Sequence, residues 1–469
     1  MIADGVLLGR PRVAAAARPV VTATGSAAGR VLLGIVLASV ALFESESPDN
    51  VLAFGSNLHH SIGTWTGLPI IFTPIEILLI VGVLVVLVPE AGRQYAKNAD
   101  LNLALRLRGG WPIVLFTIAL LLGLARGAIG GGDMYVGMWE ARYLLYVPAC
   151  YLIARGALRT PQHVAGLLRI GLIATSLFAI EGAYRRIALI DTGQLTVISE
   201  FAYEHEDVLF LSTFALLLVA AYVFGAFKHA RVVGLFLAPI LLFTLVASER
   251  RSGIIVFIVG TIVIAVTTLF VRRKAFIVAA LPMLAIIVLY LAAFWNASGI
   301  LGQPARAIKS LYAPDPRDAA SNLYRVLETY NIDITIHSDP VLGVGFGRPF
   351  IMAAAVADLS WWPFWHYETH NAVLWVWLKT GVLGYILFWT MIGGALSRAA
   401  FAAKRLLDPT LRCAALFCLV AIVGTVVFAY VDLGLVSGRV MTLLGTVLGI
   451  LAVVERIDRT SAKPTLVRA

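Results

Sequence analysis

Apolar windows, most of them roughly 17 to 24 residues long, recur from one end of this chain to the other, and such a window crosses about 30 Å of hydrocarbon as a helix. They lie near 31–43 (short), 66–89, 111–127, 141–154, 164–184, 208–227, 232–247, 253–271, 275–295, 371–396, 413–431 and 438–454. The runs are continuously apolar rather than alternating, which specifies helices and not barrel strands, because backbone groups in lipid have to be satisfied within each segment. Hydrophobic residues make up 60% of the chain against 14% charged, and the mean hydropathy of +0.88 excludes a soluble protein of 469 residues. The expected fold is therefore an all-α membrane protein of about twelve transmembrane helices. Connections are short and no linker divides the sequence, so 1–469 reads as one polytopic domain.

Charge gives the orientation. With a cytoplasmic N-terminus, 23 of the 37 Lys and Arg fall in inside segments and 19 of the 27 acidic residues in outside ones. Excess cytoplasmic Lys and Arg is the orienting rule, so both termini are expected inside. The net charge of +10 follows from this asymmetry and from attraction to anionic lipid; it is not a nucleic-acid signal. The first window follows Arg10, Arg12, Arg18 and Arg30, a stretch too long for a leader's basic region, and reads as the first helix. Cys150, Cys413 and Cys418 all fall inside windows, where they act as small packing groups with no disulfide or metal spacing.

One long hydrophilic stretch, 296–369, interrupts the pattern between the ninth and tenth windows and is expected on the outer face. A transporter of two six-helix halves would place its longest connection inside, between windows six and seven, where only Lys228 to Arg231 intervenes. Within the loop, Ser321 to Ile336 carries Leu323, Val326, Leu327, Tyr330 and Ile334 at helical spacing, which predicts an amphipathic helix on the membrane surface with Arg325 on or beside its polar face. Gly343, Gly345 and Gly347 then exclude regular helix. They lack the interval and frame of a dinucleotide fingerprint, and suit a close backbone approach to a ligand.

Chemistry-bearing residues cluster at the boundaries of this loop. His370, with Asn371, sits where the chain returns to the membrane, and a neutral imidazole there can take a proton; the bland alternative is an interfacial histidine without a role. Arg250 and Arg251 occupy the very short outer turn Ser248–Gly253, where two guanidinium groups near hydrocarbon call for anions. Glu249 can neutralise one, leaving the other for a phosphate, unless both reach lipid headgroups. Arg185 and Arg186 form a second outer pair, read as snorkelling. Arg169 and Lys379 are near enough to helix ends to snorkel too, while Glu76 and Glu181 can each pair with a nearby arginine. The aromatic run Trp361–Tyr367 is either an interfacial belt or a stacking platform for sugars. The remaining histidines share no helix face, so no metal site is expected.

In three stretches the chain resembles the O-antigen ligase and polymerase superfamily of bacterial membrane proteins. These are Ser248–Gly253, Arg325 through His337 to Gly347, and His370–Leu374 followed by Thr380–Gly384, together covering about 240–395. One departure is Lys379, where many relatives carry an acidic residue before the Thr-Gly pair. The resemblance implies a fold like that of the multi-helix glycosyltransferases using polyprenyl-linked donors, with 296–369 a periplasmic loop and the protein in the bacterial inner membrane. It implies a glycan donor on undecaprenyl diphosphate and an acceptor that is lipid A-core or a growing glycan, with no metal, nucleotide or other cofactor and no nucleic acid. Residue by residue, it assigns catalysis to His370 and Arg251, and substrate binding to Arg250, Arg325 and Asn371. A ligase is the leading expectation, a polymerase of the same superfamily the next. A lipid-linked sugar transporter, from a different class, would need a polar path that these windows scarcely provide.

Overall fold

The computed structural model describes residues 27–43, 57–67, 71–95, 110–192, 205–227, 229–297 and 299–462. Arg10, Arg12 and Arg18, the basic residues of 96–109, Lys228 and positions 463–469, which carry part of the orienting charge asymmetry, lie outside the described residues. The chain runs through α1 (Ala27–Leu42), α2 (Ile62–Thr66), α3 (Pro74–Tyr95), α4 (Trp111–Ile129), α5 (Met134–Arg142), α6 (Tyr146–Ala157), α7 (Pro161–Tyr184), α8 (Asp207–Phe224), α9 (Ala230–Ala247) and α10 (Arg251–Val271). It continues through α11 (Arg273–Phe294), α12 (Gln303–Lys309), α13 (Pro316–Ser338), α14 (Ala372–Arg405), α15 (Pro409–Val431) and α16 (Gly438–Ala462). No strand occurs among the described residues.

Each apolar window overlaps a helix, but 141–154 is divided between the end of α5, a 3-10 turn and the twelve-residue α6 rather than forming one long apolar helix. Among the described residues, seven are long and apolar enough to cross a membrane, α4, α7, α8, α10, α14, α15 and α16, and shorter apolar stretches lie in α1, α3, α9 and α11. The protein is an all-α, multi-pass membrane protein. Local sequence sets several boundaries: Thr160, Asp315 and Asp408 accept hydrogen bonds from the first turns of α7, α13 and α15, each followed by proline at the first helical position. Such a cap is worth about 1 kcal/mol, and proline there gives up no intrahelical bond.

α8, α15 and α16 are buried on most sides and form the centre, whereas α4 and α10 bury only one face. Polar ties fasten the helices at one end of this bundle. Arg439 of α16, 1% exposed, pairs with Glu206 (3.2 Å) and Asp207 before and in α8 and donates to the Val40 carbonyl of α1 (2.7 Å). Arg142 of α5 pairs with Glu76 of α3, as expected for that carboxylate. The cavity lined by Arg250, Arg251, Arg325, His370 and Asn371 lies at the same end, where α8, α10 and α14 begin and α9 and α15 finish.

Candidate active site

The loop helix α13 turns one side outward and the other inward. Leu323, Val326 and Tyr330 are exposed, while Glu328, Asn331 and Thr335 are buried. The reason is what α13 packs against. Asn331 donates to the Ala354 carbonyl and accepts from the Ala354 amide (2.8 and 2.7 Å), and the Thr335 hydroxyl accepts from the Ile351 amide (2.8 Å). An irregular segment with unpaired backbone groups is the inner neighbour, so polar side chains turn inward to satisfy it.

Glu328 is the most consequential of these. Its carboxylate, 1% exposed, accepts from the His370 backbone amide at Oε2 (2.9 Å) and meets His370 Nδ1 at Oε1 (3.1 Å). A carboxylate there fixes the proton on Nδ1 and leaves Nε2 with its lone pair. Tyr324 packs edge-on against the imidazole with ring centres 5.4 Å apart. Burial and the Glu328 carboxylate push its phenol above the ordinary tyrosine range, so it remains a neutral wall.

His370 lines a cavity of about 650 Å³ with Arg250, Arg251, Arg325 and Asn371. All five residues singled out in the sequence therefore meet at one place. Arg251 makes only long contacts, to Asp318 (3.4 Å), Asn322 (3.4 Å) and Ser310 (3.5 Å). Arg325 makes no hydrogen bond or ion pair among the described residues, and its Nε is shielded from solvent without a partner. Asn371 serves first as the N-cap of α14, accepting from the Leu374 amide (3.1 Å). Arg306 and Arg317 also face the cavity, whose carboxylates are Glu249, Asp318 and Asp432. Among the described residues the lining thus holds five guanidinium groups and three carboxylates, and Arg306 and Glu249 each pair with a residue outside it. The α9–α10 turn that presents the paired arginines holds Glu249 at φ 52°, the one non-glycine with positive φ among the described residues. Such strain accumulates where a fold must aim functional groups.

Other expectations are corrected by the geometry. Glu249 does not neutralise Arg250 or Arg251; it pairs with Arg186 (3.1 Å), which also meets Asp191 (3.0 Å). Arg185 is 2% exposed and does not snorkel. Lys379 is fully buried and paired with Glu140 of α5 (2.7 Å). The glycines of 343–347 approach helices and not the cavity: a Cβ on Gly345 would stand 2.3 Å from the Gly127 amide of α4, and Gly347 accepts no side chain against the Asp133 carbonyl. The aromatic run also misses the cavity lining, with Phe364 packing on Trp139 of α5 (ring centres 6.0 Å).

Sequence reasoning passed over Glu328, His205 and Asp432. A carboxylate two turns inside a predicted surface helix carries no local signal. Among the described residues, no three His, Cys, Asp or Glu are grouped to hold a metal ion. In comparison with known proteins, residues 236–389 match the model of the family described as O-antigen ligase. No curated protein matches the chain.

Proposed function

Over residues 236–389 the chain belongs to the O-antigen ligase family, and we propose that it transfers a glycan from an undecaprenyl-diphosphate donor to an acceptor sugar, lipid A-core, at the periplasmic face of the bacterial inner membrane, with both termini cytoplasmic. The observation that carries this reading is the cavity itself: an imidazole backed by a buried carboxylate stands in one chamber with arginines, one of which makes no ion pair among the described residues.

The donor contains its own leaving group, so what the protein supplies is charge stabilisation and a proton acceptor. The acceptor hydroxyl attacks the anomeric carbon from the face opposite the diphosphate. The new C–O bond forms as the bond to the diphosphate oxygen breaks, and the electron pair departs with the lipid diphosphate. The hydroxyl proton goes to His370 Nε2, and the anomeric centre inverts. General-base action of this kind contributes about 10²–10⁴-fold in rate. Arg251, Arg250 and Arg325 meet the growing diphosphate charge, a role commonly worth about 3 kcal/mol per well-placed donor in a site shielded from water.

Arg251→Ala and Arg325→Ala are each expected to lower transfer by about tenfold or more while the protein still inserts and accumulates, since each removes a charge-assisted contact worth about 1.5–3 kcal/mol. Normal transfer by either variant, measured as glycan attached to acceptor in cells, refutes that arginine's role. Gene deletion followed by a gel of surface glycans tests the whole reading. Loss of attachment with accumulated lipid-linked polymer is the expected result; a single repeat on the core identifies a polymerase instead, and an unaltered profile refutes both.

A further inference from the structure

Behind Arg250 the cavity wall holds a second histidine that the transfer chemistry above does not use. His205, just before α8, places Nδ1 2.7 Å from Asp432 Oδ2 and Nε2 2.9 Å from Arg250 Nη1. A guanidinium can only donate, so Nε2 must accept, and the proton must lie on Nδ1, pointing at Asp432. Asp432 is 2% exposed and follows the last residue of α15. Burial pushes its carboxyl up, but His205, His370 and Arg325 more than offset this and hold it at about 2, so it remains an anion. The order carboxylate, imidazole, guanidinium is thereby fixed in direction, and three separate elements supply it: the approach to α8, the α9–α10 turn and the end of α15.

We propose that His205 is a positioning residue: anchored by Asp432, it holds the Arg250 guanidinium on the cavity wall in the orientation that meets the diphosphate of the donor. The proposal rests on the diphosphate-transfer reading of the cavity and extends it to a residue that touches no substrate. Arginine carries several rotatable bonds, and a side chain held in its working orientation loses less entropy when the anion arrives. A short, rigid imidazole with a fixed tautomer supplies that hold. Another carboxylate in its place would cancel the charge needed by the ligand.

The test is the affinity of the purified full-length protein for inorganic pyrophosphate in detergent. His205→Ala is expected to weaken binding about five- to tenfold, as for the loss of roughly one hydrogen bond to a charged group. His205→Gln, whose amide oxygen can accept from Arg250 while its NH2 faces Asp432, is expected to restore most of it. In an Arg250→Ala background, His205→Ala should cost nothing further, because its effect passes through Arg250. An unchanged affinity in His205→Ala, or an equal loss with and without Arg250, overturns the positioning role and leaves the family reading intact. A wild-type protein that does not bind pyrophosphate overturns the diphosphate reading and this proposal together. A glutamine variant as weak as the alanine variant also rejects it, since an acceptor facing Arg250 would then not hold the guanidinium in place.

Discussion

Glu328→Gln is expected to silence glycan transfer nearly as fully as His370→Ala, although it changes one oxygen to nitrogen. Both carboxylate oxygens are in use as acceptors, Oε2 from the His370 amide and Oε1 from Nδ1. Glutamine has one acceptor to offer. The backbone amide cannot turn away, so it keeps the oxygen and the side-chain NH2 faces Nδ1. Nδ1 must then accept, which moves the imidazole proton to Nε2 and removes the lone pair from the atom that should take the acceptor's proton. The analogous exchange in serine-protease triads, where geometry survives and the tautomer is wrong, costs about 10⁴-fold; here a loss of about 10²–10⁴-fold, the full general-base contribution, is expected. The check is single-turnover transfer by purified protein, with accumulation and donor binding compared with the wild type. A Glu328→Gln protein that turns over within a few fold of normal removes His370 from the role of base, or its tautomer from the mechanism.

Why Glu328 escaped the sequence while His370 did not follows from where each signal lies. His370 stands at a boundary that composition marks, hydrophilic loop on one side and apolar helix on the other, and the arginines stand out because charges in a very short outer turn are costly. The helical spacing of Leu323, Val326 and Tyr330 marks the outward side of α13 and carries no information about what the opposite side covers. That inner side carries Ile332 and Ile336 together with Glu328, Asn331 and Thr335, and the three polar side chains meet loop backbone groups and an imidazole. His205 and Asp432 are separated by 227 positions and meet only because the ends of α8 and α15 do. Gly343, Gly345 and Gly347 are points of close approach, as their spacing implies, but what approaches them is the backbone of α14, of α4 and of the residue that caps α5.

The same contrast between local and tertiary signals governs the largest stability effect expected in this protein. Lys379 looks, from sequence, like a residue able to reach the membrane surface. It lies seven residues into α14 from Ala372, about 10 Å along the helix, fully buried with its partner. Its ammonium donates to the Arg348 carbonyl (2.7 Å), while Glu140 accepts from the Gly347 amide (2.5 Å). The buried pair thus clamps the loop before the site between α5 and α14, just ahead of Gly381, whose φ of 68° breaks that helix. Coulombic attraction is strong at such depth, yet desolvating both ions offsets most of it, and the asymmetry is what can be measured. Lys379→Met strands the Glu140 carboxylate, and Glu140→Gln strands the ammonium; each is expected to cost about 3–5 kcal/mol. The double variant keeps an acceptor for the Gly347 amide and buries no charge, so it should recover much of the loss. Denaturation midpoints in detergent provide the comparison. Additive losses in the double variant, or a Lys379→Met protein as stable as the parent, mean that the two charges do not depend on each other and that the loop is held by its glycine contacts.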